Sequence, residues 1–160
     1  MSTGIIVYVT RTGHARELAQ TLGQQLGYPV AEIKDLVPRS GLLGWLRSGS
    51  QAAKKLSTPI SDPQVDLSQV NTVVLVQPVW ASGVVPPLRT WLENHRSELS
   101  HKKIALLNSH LGSPLEKLKV SFEKEFFPLT AFDGIRTHAT EAEKQQKLKF
   151  FLDALKNQKN

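Results

Sequence analysis

A chain of 160 residues, 40% of them hydrophobic and 21% charged, is long enough to bury roughly 68–70% of its unfolded surface, which favours one globular domain over residues 1–160 and excludes a disordered or collagen-like polymer. The absence of cysteine excludes disulfides, thiolate nucleophiles and cysteine-held metals, so redox chemistry would require a bound cofactor. The net charge of +6 is spread, with 7 basic and 5 acidic residues in 1–80 and 13 and 9 in 81–160, a pattern that argues for a mildly basic surface and against a nucleic-acid stripe.

In chain order, Ile5-Ile6-Val7-Tyr8-Val9 is a continuous β-branched run, expected as a strand buried on both faces of a parallel sheet. Leu18, Leu22 and Leu26, beside Ala15 and Ala19 and followed by Gly27, predict a helix and its stop. Val30 to Ile33 is a weaker strand. From Leu42 to Leu56, Leu42, Trp45, Leu46, Gly49, Ala52, Ala53 and Leu56 share one helical face and Arg47, Gln51, Lys54 and Lys55 the other, predicting a packing helix or, alternatively, a partner-binding or membrane-surface helix. Val73 to Val76 is a further buried strand, and Pro86-Pro87 opens a helix expected to run to about Glu98.

Ile104 to Leu107 repeats the strand pattern. Ser113-Pro114-Leu115-Glu116 predicts a helix start capped by Ser113. A strand is expected within Ala131 to His138, and Thr140 with Glu143 forms a second capping box before the apolar face of Leu148, Phe151, Leu152 and Leu155. Strands alternating with helices predict an open parallel sheet covered on both faces. With no apolar stretch of 18 residues and no basic leader at Met1-Ser2-Thr3, the expected location is cytoplasmic and membrane contact is disfavoured.

In such a sheet, ligands bind in the loops outside the carboxyl ends of the strands. Three loops carry chemistry. Thr10-Arg11-Thr12-Gly13-His14-Ala15 offers two hydroxyls, a turning glycine, a fixed cation and a helix N-terminus, a cradle for phosphate if it is more than a helix cap. Pro78-Val79-Trp80-Ala81-Ser82 places a flat aromatic before small residues, where a planar ring can stack if Trp80 is not simply core. Asn108-Ser109-His110-Leu111-Gly112 offers polar backbone for the edge of a ring. The scattered histidines lack metal-ligand spacing, a Gly-x-Ser-x-Gly elbow is missing, and Thr10 and Gln77 stand where a phosphoryl-accepting receiver needs aspartates.

Taken together, the three loops, Pro86-Pro87 and the segment Ser40-Gly41-Leu42-Leu43-Gly44-Trp45-Leu46-Arg47-Ser48-Gly49 resemble the flavodoxin-like family. The resemblance spans nearly the whole chain. It implies an α/β three-layer sandwich with a five-stranded parallel sheet of order 2-1-3-4-5, and FMN as cofactor. Its phosphate would be held by Thr10, Thr12 and the amides from Arg11 to Ala15. Its ring would lie between the second and third loops, stacked on Trp80. Ala15 stands where the family usually carries Thr, removing a hydrogen bond to a charged group worth roughly 1.5–3 kcal/mol; His14 replaces a frequent Asn, and His110-Leu111 replaces a Gly-rich or aromatic pattern.

The implied function is electron transfer or a small FMN-dependent reductase, with a redox protein or a small-molecule donor or acceptor as partner. The alternative is a flavin-less module of the same fold that binds a protein or a membrane surface. Arg11, His14, Arg16 and His110, with Arg39, Arg47 and Arg89 in adjoining segments, suggest a basic rim that stabilises reduced, anionic flavin.

Overall fold

In the computed structural model the structure describes residues 3–37, 44, 50, 56–80 and 83–157. Five strands form one parallel sheet: β1 (Gly4–Tyr8), β2 (Val30–Glu32), β5 (Thr72–Pro78), β6 (Lys103–His110) and β7 (Leu129–Arg136), in spatial order β2-β1-β5-β6-β7. Counted among themselves the strands have the expected 2-1-3-4-5 order. The reversal of direction falls between β1 and β5, paired from Gly4↔Thr72 to Tyr8↔Val76, and this switch point opens a crevice at their carboxyl ends. A short antiparallel ribbon of β3 (Lys34–Asp35) and β4 (Ile60–Ser61) was not foreseen.

Side chains alternate across the sheet, so each central strand feeds two cores. On one face Ile5, Val7, Val73, Leu75, Ile104 and Leu106 pack with Leu88, Trp91, Leu92, Leu118 and Phe122, which belong to α2 (Pro86–Asn94) and α4 (Glu116–Glu125). On the other, Ile6, Val74, Val76, Ala105 and Leu107 pack with Ala15, Leu18, Leu22, Leu148, Phe151 and Leu152 of α1 (His14–Leu26) and α5 (Glu141–Asn157). Burying each large apolar side chain contributes about 1.5–3 kcal/mol relative to exposure. The two cores hold the three layers together and fix the loops at the sheet edge.

Gly27 ends α1 with its N–H on Gly23 O at 2.9 Å, as the sequence predicts. The second capping box forms, with Thr140 N–H donating to Glu143 Oε2 at 3.0 Å and Glu143 N–H to Thr140 Oγ1 at 3.2 Å. The first does not. Helix α4 starts at Glu116 behind Leu115, without a side-chain cap, because Leu115 is drawn against the apolar core and Ser113 is thereby left outside the first turn. The helix from Pro86 also ends early. His95, at φ −112°, separates α2 from the short α3 (Arg96–Leu99); its ring is held by Asp62 and Glu98 at 3.0 and 2.9 Å.

Of the expected Leu42 to Leu56 helix only Gly44, Ser50 and Leu56 are described; Leu56 is non-helical and 46% exposed, since it already belongs to the segment leading into β4. The rest lies outside the described residues. Among the described residues no helix is long and apolar enough to cross a membrane, and no group of three or more His, Asp or Glu is placed to hold a metal ion.

Candidate functional site

Strand β1 ends in a turn whose geometry is set by Gly13. At φ 98° and ψ −12° it occupies backbone space that side-chain-bearing residues avoid, and its N–H is bound by Thr10 Oγ1 at 3.0 Å. The first helical bond runs from Glu17 N–H to Gly13 O at 3.0 Å. The N–H groups of the turn before it are the ones a helix cannot satisfy itself, and no side chain caps them. Thr10 thus bonds the turn at Gly13, and no side chain caps the first turn of α1; an uncapped helix N-terminus favours an anion.

A cleft of about 190 Å³ lies against this turn, lined by Thr10, Arg11, Thr12, His14 and Ala15 of the first loop, Pro78, Val79 and Trp80 of the second, and Ser109, His110 and Leu111 of the third. Three loops separated by up to 100 residues thus converge as the sequence expects. Ala81 and Ser82 lie outside the described residues. Trp80 has two roles: it borders the cleft but is only 9% exposed and packs into the apolar core. Its carbonyl accepts from Gly83 N–H at 3.3 Å.

Asn108, Gly13 and Gly112 do not line the cleft among the described residues. Asn108 is fully buried and belongs to a hydrogen-bond chain under the loops. Val85 N–H donates to Gln77 Oε1 at 3.0 Å, Gln77 Nε2 to Asn108 Oδ1 at 3.0 Å, and Asn108 Nδ2 to Asp133 O at 3.0 Å. This chain crosses β5, β6 and β7 and ties the start of α2 to the sheet edge. Gly112 N–H donates to His110 Nδ1 at 3.0 Å, fixing the ring with its proton on Nε2 when neutral. Burial, the largest cause, together with Arg136 and Lys147 holds His110 below the ordinary imidazole range, against the opposing pull of Asp133.

A fourth loop was missed by the sequence reading. Thr137 and His138, after β7, also line the cleft, and Thr137 Oγ1 is buried there with no hydrogen-bond partner among the described residues. Thr137 N–H donates to His110 O at 2.9 Å, which is what carries this loop inward. A lone Thr-His after an edge strand offered no signal.

The electrostatics are simpler than a count of cations suggests. Arg16 turns to Glu32 at 2.9 Å and to Tyr8 Oη at 3.3 Å. Arg89 is buried and paired with Glu125, while its guanidinium lies 5.3 Å from the centre of the Phe126 ring. Arg39 and Arg47 lie outside the described residues. What distinguishes the cleft is that no Asp or Glu lines it among the described residues, whereas Arg11 and three histidines do. An uncapped helix N-terminus, a hydroxyl on Thr12, an unpartnered Thr137 hydroxyl and, among the described residues, no carboxylate in the lining fit a phosphate.

Neither a protein-family model nor a curated protein matches this chain. Solved structures do. A candidate flavoprotein from Bacteroides eggerthii is 21% identical, with a TM-score of 0.74 over 95% of this chain and 99% of that one. A flavoprotein from Lactobacillus acidophilus, in complex with FMN, is 15% identical at a TM-score of 0.68 over 92% and 99% of the two chains. Oxidised flavodoxin 1 from Bacillus cereus is 14% identical at 0.59 over 99% and 100%. At these identities the likeness is one of fold: the chain has the flavodoxin-like α/β fold, over essentially the full length of these neighbours.

Proposed function

We propose that this chain binds FMN in the cleft and exchanges electrons with a redox partner protein or a small-molecule donor or acceptor, as a carrier or a small reductase. The observation that carries the reading is the carboxylate-free cleft at the sheet's switch point, built on the uncapped amides of α1. The Lactobacillus acidophilus neighbour of this fold is in complex with FMN, which supports it.

In this reading the amides of Thr12, His14 and Ala15 and the Thr12 hydroxyl hold the phosphate, and Arg11 lies beside it, while the Gly13 amide is engaged by Thr10. Thr10 keeps the turn in shape through its bond to Gly13. Trp80, Ser109 and His110 border the ring. FMN, when bound, supplies reversible one- and two-electron chemistry that no side chain of a cysteine-free protein provides. The cleft volume of about 190 Å³ lies below the roughly 300–1,000 Å³ of enclosed ligand pockets, so a ligand there would be only partly enclosed. The protein's own lever is charge: helix amides and no nearby carboxylate favour a negative ligand, and more so once reduction adds charge.

Two measurements test this. Titration into the flavin-free protein should quench FMN fluorescence, and Trp80→Ala and Thr12→Ala should each weaken the affinity; a chain that does not quench FMN is instead the flavin-less binding module. In the loaded protein, Leu111→Glu should lower the midpoint potential relative to Leu111→Gln, because Leu111 lines the cleft and is 72% exposed. Equal potentials in the two variants would refute the electrostatic part.

A further inference from the structure

Among the buried side-chain atoms that have no hydrogen-bond partner in the described residues, Thr137 Oγ1 alone belongs to a residue that lines the cleft. A buried hydroxyl left unbonded is costly, and such groups are rare in folded proteins. The backbone around it is firmly held. Thr137 N–H donates to His110 O at 2.9 Å, one step beyond the last β6–β7 pair, His110↔Arg136, and Ala139 N–H donates to Arg136 O at 3.1 Å, closing a four-residue turn. Immediately after this turn the Thr140–Glu143 box starts α5.

Strand alternation gives the direction in which Thr137 faces. Ala131 and Ile135 of β7 pack into the core shared with α1 and α5, whereas a Cβ on Gly134 would meet Leu115, which packs against the opposite core. Counting by two along the ladder puts Thr137 on the face of Ile135. On β6, Ala105 and Leu107 put Ser109 on that face in the same way. Ala15, in the first turn of α1, belongs to the same core, so the N-terminus of α1 begins on the side of the sheet that carries Thr137 and Ser109. His14, Ser109 and Thr137 line both the cleft and a smaller pocket of about 50 Å³ between α1 and α5. Glu17 and Glu141 line the smaller pocket, and neither accepts from Thr137 Oγ1.

We infer that Thr137 is a phosphate contact from the fourth loop: its O–H donates to a phosphate oxygen of the ligand at the α1 N-terminus and so selects the phosphorylated flavin over riboflavin. The inference rests on the FMN reading. Ala15 adds an amide there but no side-chain donor, and a phosphate offers the acceptor that a hydroxyl lacks in carboxylate-free surroundings. Rotation about χ1 exchanges the hydroxyl with the methyl branch and carries it to the cleft without moving the backbone. A donor that is unbonded in the flavin-free protein gains its partner on binding, and the gain goes into affinity for the phosphate.

The test titrates FMN and riboflavin separately into the full flavin-free chain and its Thr137→Val and Thr137→Ser variants, reading flavin fluorescence. Thr137→Val keeps the branched shape and removes the donor. It should lower the preference for FMN over riboflavin by about 10- to 100-fold, the scale of one hydrogen bond to a charged group, and leave riboflavin affinity unchanged. Thr137→Ser should retain the preference. The melting temperature of flavin-free Thr137→Val should equal or exceed that of wild type, because no bond is lost. An unchanged preference in Thr137→Val, an equal weakening of both flavins, or the same loss in Thr137→Ser would each overturn the proposal while leaving the FMN reading in place; a wild-type chain that does not quench FMN overturns that reading and the proposal with it.

Discussion

The chain of buried amides linking Val85, Gln77, Asn108 and Asp133 makes a sharp prediction. Asn108→Leu keeps roughly the side-chain volume but removes an acceptor from Gln77 Nε2 and a donor from Asp133 O, both at 3.0 Å. Gln77 is fully buried, so its orphaned N–H costs about 1–3 kcal/mol. The Asp133 carbonyl sits in a half-buried residue and adds about 1 kcal/mol, and the apolar Leu returns about as much. The net loss should be about 2 kcal/mol, a large share of the roughly 5–15 kcal/mol by which domains are stable. Urea unfolding at constant slope should lower the midpoint by about 1 M. Gln77→Leu should cost a similar amount, but the double variant should cost about 1–2 kcal/mol less than the sum, since the two orphans of the shared bond disappear together. A single-variant loss below about 0.5 kcal/mol, or additivity within about 0.5 kcal/mol, would refute the role given to this chain.

Two further outcomes follow from the geometry. Burial, the largest single influence on His95, pulls its pKa down, but hydrogen bonds and charges from Glu98 and Asp62 together outweigh it and raise it above the usual value of 6.5; a raised folded value means the stabilisation is full below the unfolded pKa and fades as pH rises through the folded one. Wild type should thus lose stability relative to His95→Gln as the pH rises above the ordinary imidazole value of 6.5, and parallel pH profiles in urea melts would exclude the ion-pair account. Gly13→Ala should destabilise by about 1–2 kcal/mol through backbone strain alone, because nothing lies within 4 Å of the added Cβ at φ 98°; Gly13→Asn should cost less, and equal melting temperatures for Gly13→Ala and wild type would count against the strain.

Local chemistry was enough for the main elements. The β-branched runs at Ile5, Val73 and Ile104, the stop at Gly27 and the Thr140–Glu143 box all act over a few residues, and each appears where its pattern lies. The loops that meet at the cleft were legible for the same reason: in a parallel sheet with helical crossovers, every strand end delivers its loop to one edge.

What the sequence by itself determined was therefore the alternation of strands and helices, the sheet order that follows from the resemblance, and three of the four loops at the site. The tertiary structure alone decided how those residues are used. It paired Arg16 with Glu32 and Arg89 with Glu125, turned Asn108 from a ligand contact into a buried brace, placed most of Trp80 in the core, and brought Thr137 and His138 to the cleft. A cation's effect on a site, or a polar side chain's freedom to bind, depends on partners that only long-range packing supplies, and those distances are invisible in the order of the residues.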